Sequence, residues 1–219
     1  MKLHAVVPVK LLASSKSRLS RILGPEDRER LMIAMLSDVL KALRGSSCIE
    51  IILVVSRDEK VGRVASELGA LFLREPKPEG LNIAIKMAIV KCLELGADGV
   101  LIIHADVPLV REDDLRAMSR GLDGHEVVIA PSLDLEGTNA LALMPPDVMP
   151  ISYGPGSFYR HLEMALERQL STLVLFSRSL ALDVDRPEDL ALLAMSKARG
   201  RASVLLAREL LRTIGSSRP

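Results

Sequence analysis

Aromatic side chains are almost missing from this sequence: three Phe, two Tyr and no Trp in 219 residues. Proteins that hold single-stranded nucleic acid stack its bases on aromatic platforms, and this chain has too few rings to build one. A basic field is missing as well. Lys and Arg number 29 against 28 Asp and Glu, a net charge of +1, so the chain as a whole steers neither nucleic acid nor an anionic surface. Cysteine is limited to Cys48 and Cys92; two thiols so far apart exclude a disulfide framework and a paired-thiol metal site. No apolar run approaches the length that spans a bilayer, and Pro8 and Lys10 interrupt the start too early for a signal peptide. A cytoplasmic protein with no membrane and no nucleic-acid partner is expected. The chain also lacks G-x-G-x-x-G and G-x-x-x-x-G-K-[ST], so neither a dinucleotide-binding fingerprint nor a P-loop is supported. His4, His104, His125 and His161 are scattered without metal spacing.

What is present is a large core: 48% of residues are hydrophobic and 26% charged, and the length suits one domain. Short apolar runs alternate with amphipathic ones. Strands are expected at 3–9, 50–56, 70–73, 99–105, 126–131, 139–144 and 172–176. Helices are expected at 25–44, 59–69, 81–96, 111–122, 157–169, 186–198 and 203–214. Pro25 and Pro187 sit in first turns beside acids, where the helix dipole favours them. The run "GVLIIHA" is continuously apolar, as a strand covered on both faces requires. The pattern implies a three-layer α/β/α sandwich, mostly parallel, and the crowded strands after residue 126 imply an antiparallel edge. The whole of 1–219 reads as a single domain, with 199–219 a helical tail.

Ligands of open α/β sheets bind at the carboxyl ends of the strands. The loop after the first strand, "VKLLASSKSRLSRILG", carries Lys10, Lys16, Arg18 and Arg21 among four serines. It is either a triphosphate cradle or a solvated basic loop. After the fourth strand comes "HADVP". A carboxylate such as Asp106 at the end of an apolar run is costly unless a cation meets it, though a turn cap is an alternative. Asp183 and Asp185 lie two apart in an extended segment and share one face. With Asp106 they could hold Mg²⁺ through oxygen ligands. Asp185 also suits the N-cap of the next helix; capping does not explain Asp183. "EGTNALAL" places Gly137, Thr138 and Asn139 just before a strand. "YGPGSF" places Gly154, Gly156 and Ser157 before a helix, either as an anion site of N–H groups and a hydroxyl or as a flexible turn. Asn82 follows the Pro/Gly loop "EPKPEGL" and either caps a helix or reads a base edge. His104 receives no role.

In their order, "VPVK", "SKSRL", "AMLSDVL", "GLN", "HADVPL", "GTNAL", "YGPGSF" and "LALDVDRPEDL" resemble the 2-phospho-L-lactate guanylyltransferase family of deazaflavin coenzyme F-420 biosynthesis. The resemblance runs from residue 6 to about residue 193 and leaves the tail uncovered. Serines replace a frequent threonine in "SKSRL", and tyrosine replaces phenylalanine in "YGPGSF". The resemblance implies a nucleotidyltransferase fold like that of the molybdenum-cofactor guanylyltransferases, GTP as donor, a small phosphorylated carboxylic acid as acceptor, and Mg²⁺. By motif, Asp106, Asp183 and Asp185 look like metal ligands. Lys10, Lys16 and Arg18 look like triphosphate contacts, and Asn82 like a nucleotide contact. Thr138, Gly154 and Ser157, with neighbours Asn139 and Gly156, look like acceptor contacts.

The expectation is an enzyme that moves GMP from GTP to the phosphate of 2-phospho-L-lactate or phosphoenolpyruvate. The alternatives are another nucleotidyltransferase, of molybdopterin or sugar-phosphate type, and a nucleotide-binding regulator without turnover. The tail "SVLLARELLRTI" has an apolar stripe of Val204, Leu205, Leu210, Leu211 and Ile214. It either packs on its own sheet or takes part in the expected homodimer.

Overall fold

The computed structural model describes residues 1–12, 16–77 and 79–216. Ala13, Ser14 and Ser15 of the basic loop, Pro78 of the Pro/Gly loop and the last three residues of the tail lie outside the described residues. The strands are β1 (Leu3–Pro8), β2 (Ile49–Ser56), β3 (Leu71–Arg74), β4 (Gly99–Ile103), β5 (Val127–Pro131), β6 (Thr138–Leu143) and β7 (Thr172–Val174). They form one sheet in the order β3-β2-β1-β4-β6-β5-β7. The helices are α1 (Pro25–Gly45), α2 (Glu59–Glu67), α3 (Leu81–Glu94), α4 (Glu112–Gly121), α5 (Ser157–Glu167), α6 (Arg178–Ala181), α7 (Pro187–Met195) and α8 (Ala202–Ser216).

Every residue of β1, β4, β5 and β6 is buried, which is why these strands read as continuous apolar runs. Their side chains still alternate between two cores. Ala5 and Val7 of β1 with Leu101 and Ile103 of β4 pack under α1, α4 and α8. Val6, Val100 and Ile102 face α3 and α5. Three α/β/α layers result, as the sequence pattern implies. No helix among the described residues is long and apolar enough to cross a membrane.

The antiparallel component is not at an edge. β6 runs antiparallel to both β4 and β5, and β7 pairs parallel with β5, so the reversed strand is interior. "TNALAL" suits that place, because a strand with neighbours on both sides and helices on both faces has no polar face to offer. The reversal brings the start of β6 to the same end of the sheet as the carboxyl ends of β1 and β4, where the His104 N–H donates to the Asn139 carbonyl at 3.2 Å.

The tail packs back on the domain. Val204, Ala207 and Leu210 are buried against the main core, while Leu205, expected in the stripe, is exposed. The buried Asp38 of α1 anchors it. Its carboxylate accepts the N–H groups of Ala202 and Ser203 at 3.0 and 2.9 Å and the Ser203 hydroxyl at 2.6 Å, satisfying the free donors of the first turn of α8. Asp38→Ala strands those donors and is expected to lower the unfolding free energy by about 3 kcal/mol. Leu205→Ala should change it by no more than about 0.5 kcal/mol. Urea denaturation of both variants checks the pair.

Candidate active site

The loops at this end of the sheet enclose a cleft of about 410 Å³. Lys10, Lys16, Arg18, His104, Asp106, Thr138, Asn139, Gly154, Ser157, Asp183 and Asp185 all line it. Asn82 and Gly156 do not. The Asn82 amide is engaged with the backbone of Tyr153: its Oδ1 accepts the Tyr153 N–H at 2.7 Å and its Nδ2 donates to the Tyr153 carbonyl at 3.1 Å. It caps no helix, since the N-cap position of α3 is Gly80. Gly156 has φ 69° and sits at the N-cap of α5, a left-handed turn that glycine adopts without strain.

The cation that meets Asp106 is the ammonium of Lys16. Its Nζ lies 2.6 Å from Asp106 Oδ2 and 2.7 Å from Asp185 Oδ1. Arg18 adds a longer contact to Asp185, 3.8 Å. Burial works against the Lys16 charge, but the two carboxylates outweigh it and hold the lysine pKa above its usual value. Burial likewise opposes the Asp106 charge, and Lys16 outweighs it, keeping this carboxyl below the usual range. Asp185 does not cap α7. That work falls to Asp189, whose carboxylate accepts the N–H groups of Asp185 and Arg186 at 3.0 and 2.7 Å.

Asp183 and Asp185 reach the cleft together because Val184, between them, is buried and donates its N–H to the Asp106 carbonyl at 3.0 Å. Among the described residues no cation pairs with Asp183. Asn139 donates to its Oδ1 at 3.2 Å and to the carbonyls of Leu180 and Ala181. Burial, and next the charge of Asp106, push the Asp183 carboxyl up to about 6.

These acids fit a hard cation in part. Asp106 Oδ1 is buried without a hydrogen-bond partner among the described residues, and Asp183 is held where a second negative charge is unwelcome. A dication relieves both. Among the described residues no three acidic, imidazole or thiol groups converge as a ready cage. Mg²⁺ does not require such a cage, since one or two carboxylates can share the ion with water and substrate phosphates.

The rest of the lining is largely neutral. The Thr138 N–H donates to Ser157 Oγ at 3.0 Å, and Thr138 Oγ1 lies 3.0 Å from His161 Nδ1. The Tyr153 ring packs between His104 and His161, 4.9 Å from each. Its hydroxyl and His104 Nε2 are buried without partners among the described residues. Beside the cleft lies a hollow of about 230 Å³, lined by Val9, Leu11, Leu81 and Ala84 with Arg57 and Glu75. His161, Tyr153, Arg57 and Glu75 escape sequence reasoning. For His161 a signal exists: it lies four residues after Ser157 and so shares its helix face. Arg57 and Glu75 follow the ends of β2 and β3 but belong to no motif.

A family model described as "Guanylyl transferase CofC like" matches residues 3–217. The chain belongs to that family. The match covers the tail as well, which the resemblance over residues 6–193 does not reach. This CofC-like chain is 43% identical over 197 residues to a phosphoenolpyruvate guanylyltransferase of Rubrobacter xylanophilus, covering 90% of this chain and 95% of that one. It is 38% identical over 191 residues to a 2-phospho-L-lactate guanylyltransferase of Methanocaldococcus jannaschii, covering 87% and 81%. Among solved structures, a protein of Desulfovibrio desulfuricans assigned to the nucleotide-diphospho-sugar transferases superposes with a TM-score of 0.81 at 21% identity, covering 99% and 98%. A nucleotidyl transferase from Methanothermobacter gives 0.63 at 19%, covering 97% and 99%. Both show the shared fold.

Removing the buried ammonium leaves three acids facing one another. Lys16→Met is expected to lower the unfolding free energy in metal-free buffer by about 3 kcal/mol. Lys10→Met, at an exposed residue, should change it by no more than about 0.5 kcal/mol. Paired urea titrations in the presence of a chelator give both numbers.

Proposed function

We propose that this CofC-like chain transfers GMP from GTP to the phosphate of a small phosphorylated carboxylic acid, phosphoenolpyruvate or 2-phospho-L-lactate, in a step towards coenzyme F-420. One observation carries the reading: a single cleft is lined both by paired cations and carboxylates and by neutral donors. Joining two anions, one a triphosphate and one a phospho-acid, calls for that division. The identity to guanylyltransferases along nearly the whole chain supports the same reading.

In the reaction an oxygen of the acceptor phosphate attacks the α-phosphorus of GTP. The new P–O bond forms as the bond from the α-phosphorus to the bridging oxygen breaks, and pyrophosphate leaves with that electron pair. A phosphate monoester has its second pKa near about 6 and is largely ionised at neutral pH, so no general base is required. The chain's part is positioning and charge neutralisation. Lys10, Lys16 and Arg18 hold the triphosphate and the departing pyrophosphate. Thr138, Ser157 and the turn at Gly154 hold the acceptor's carboxylate, while Asn139 and the Asn82 clamp on Tyr153 keep that wall in place. Asp106, Asp183 and Asp185 would hold Mg²⁺, which supplies Lewis-acid polarisation of the α-phosphate.

The smaller hollow suits guanine. Val9, Leu81 and Ala84 offer apolar faces, and neither the Arg57 nor the Glu75 side chain is paired among the described residues. A carboxylate accepts from the N1–H and N2–H groups of guanine, and a guanidinium donates to O6 or N7; adenine presents an acceptor and a donor the other way round. We further propose a cytoplasmic homodimer. Leu133 and Phe176, exposed beyond the ends of neighbouring β5 and β7, support it, and light scattering that finds a monomer at micromolar concentration would reject it.

Pyrophosphate release tests the function. GTP with phosphoenolpyruvate or 2-phospho-L-lactate should give turnover; 3-phosphoglycerate serves as the competing acid. Asp106→Asn should reduce turnover by about a hundredfold or more. Glu75→Gln should narrow the preference for GTP over ATP by about tenfold, the worth of one hydrogen bond to a charged group. Release of pyrophosphate at equal rates from ATP and GTP by the natural chain would return the function to the wider nucleotidyltransferase class.

A further inference from the structure

His161 lies wholly inside α5 and the core, and it does not line the cleft. We propose that it is a positioning residue: it turns the Thr138 hydroxyl into an obligate hydrogen-bond donor and so commits the neutral wall of the cleft to an anionic group. The inference rests on the acceptor subsite proposed above and names the device that sets its polarity.

Counting hydrogens fixes the direction of each bond. The backbone N–H of Ser152 points at His161 Nε2, 3.1 Å away. A backbone N–H can only donate, so Nε2 must be the bare nitrogen, and a hydrogen there would collide with it. A neutral imidazole has one hydrogen, which therefore sits on Nδ1. That nitrogen is 3.0 Å from Thr138 Oγ1, so the ring donates and the hydroxyl accepts. Burial keeps the ring in this neutral form, with its pKa pushed down to about 4. A hydroxyl has one hydrogen to give. With a lone pair of Thr138 Oγ1 filled by the ring, its hydrogen is left for another acceptor, and among the described residues there is none. Ser157 is set the same way, because its Oγ accepts the Thr138 N–H at 3.0 Å and its hydrogen has no acceptor among the described residues either. Both residues line the cleft. Two hydroxyl hydrogens aimed at one wall, each without a protein acceptor there, match an oxyanion and repel a donor such as an ammonium. The chain Ser152 N–H to His161, His161 to Thr138, and Thr138 to ligand is therefore polarised in one direction.

The Ser152 end of the chain is fixed in turn. The Ser152 carbonyl accepts from Arg160 Nη2 at 3.0 Å, and its Oγ accepts from Arg160 Nε at 3.0 Å. The Asn82 amide locks the next residue on both sides. The N–H that selects the imidazole tautomer is thus held by contacts on two other elements.

Two measurements on the full chain test the device. Nitrogen-15 NMR of the histidine-labelled protein at pH 7.5, with His161 assigned by substitution, should show a neutral ring protonated at Nδ1. A ring protonated at Nε2, or a charged one, overturns the proposal whatever the enzyme's activity. Kinetics then test the direction of the relay. His161→Phe should raise the KM for the phospho-acid about tenfold or more, leave the KM for GTP within twofold, and leave kcat within threefold. His161→Gln, which keeps one acceptor and one donor, should recover most of the loss, and it stands in if the phenylalanine variant does not fold. Adding the His161 change to Thr138→Val should cost nothing further, since the ring acts only through that hydroxyl. Additive losses, or equal changes in both KM values, overturn the proposal. If the natural chain releases no pyrophosphate with any phospho-acid, the guanylyltransferase reading fails and the NMR result alone decides the relay.

Discussion

Three carboxylates cannot stand together at the dry end of a sheet without positive charge, and the arrangement of this cleft follows from that constraint. Asp106 ends an apolar strand; Asp183 and Asp185 arrive beside it on a segment bonded to its backbone. Lys16 bridges two of the three, close enough that the attraction outweighs the cost of burying its own charge and that of Asp106. Asp183 is left with an amide alone, and its carboxyl is pushed up to about 6. Among the described residues the site therefore holds one carboxylate that no cationic side chain pairs with, next to an oxygen of Asp106 that receives no hydrogen bond. An isolated chain is less stable for this, and a cation gains by it.

The reversed strand β6 is the second requirement. In a wholly parallel sheet the strand beside β4 would present its carboxyl end here, and the residues after it would enter a crossover to a helix. With β6 reversed, the chain arrives at this end from the turn at 132–137 and enters the strand directly, so Thr138 and Asn139 are held by sheet hydrogen bonds at the cleft itself. Residues on rigid elements keep their geometry better than residues on loops. The cationic residues sit differently: Lys10, Lys16 and Arg18 belong to the long connection after β1. In the proposed reaction the fixed wall would meet the acceptor, and the connection the triphosphate.

The sequence made the fold legible where the signal was local. Strands buried on both faces announced themselves as unbroken apolar runs, and Pro25 and Pro187 marked helix starts to within a residue. The place of β6 was not legible, because "TNALAL" would look the same at an edge or in the interior; pairing is decided by distant residues. In the site, Asp106 was legible by exclusion, as an acid where an acid is expensive, but its partner was not, since the 90 residues from Lys16 to Asp106 carry no pairing signal. Asp185 looked like a cap because Asp before Arg-Pro usually is one; Asp189, four residues on, took the role. Asn82 looked like a helix cap or a ligand contact because it closes the Pro/Gly loop at a helix start, while its use in clamping the Tyr153 backbone is visible only in space. Leu205 failed the stripe because it falls one residue after Val204, about 100° round the helix, off the face that Val204, Ala207 and Leu210 bury.

Under the proposed reaction, the two sets of lining residues differ in kind because the groups they would meet differ in charge. A triphosphate carries several negative charges and needs cations; a bare row of hydroxyls would leave most of that charge unmatched. A second row of lysines for the acceptor would bind either substrate equally well, and each anion would compete for the other's place. Neutral donors avoid the competition: they discriminate by direction, since a hydroxyl whose hydrogen is already aimed rewards only an acceptor in line with it. Aiming a hydroxyl requires filling its other valence from behind: the Thr138 N–H does so for Ser157 and the buried imidazole of His161 for Thr138. His161 fills that place within the apolar core, where a lysine would carry a charge into low dielectric.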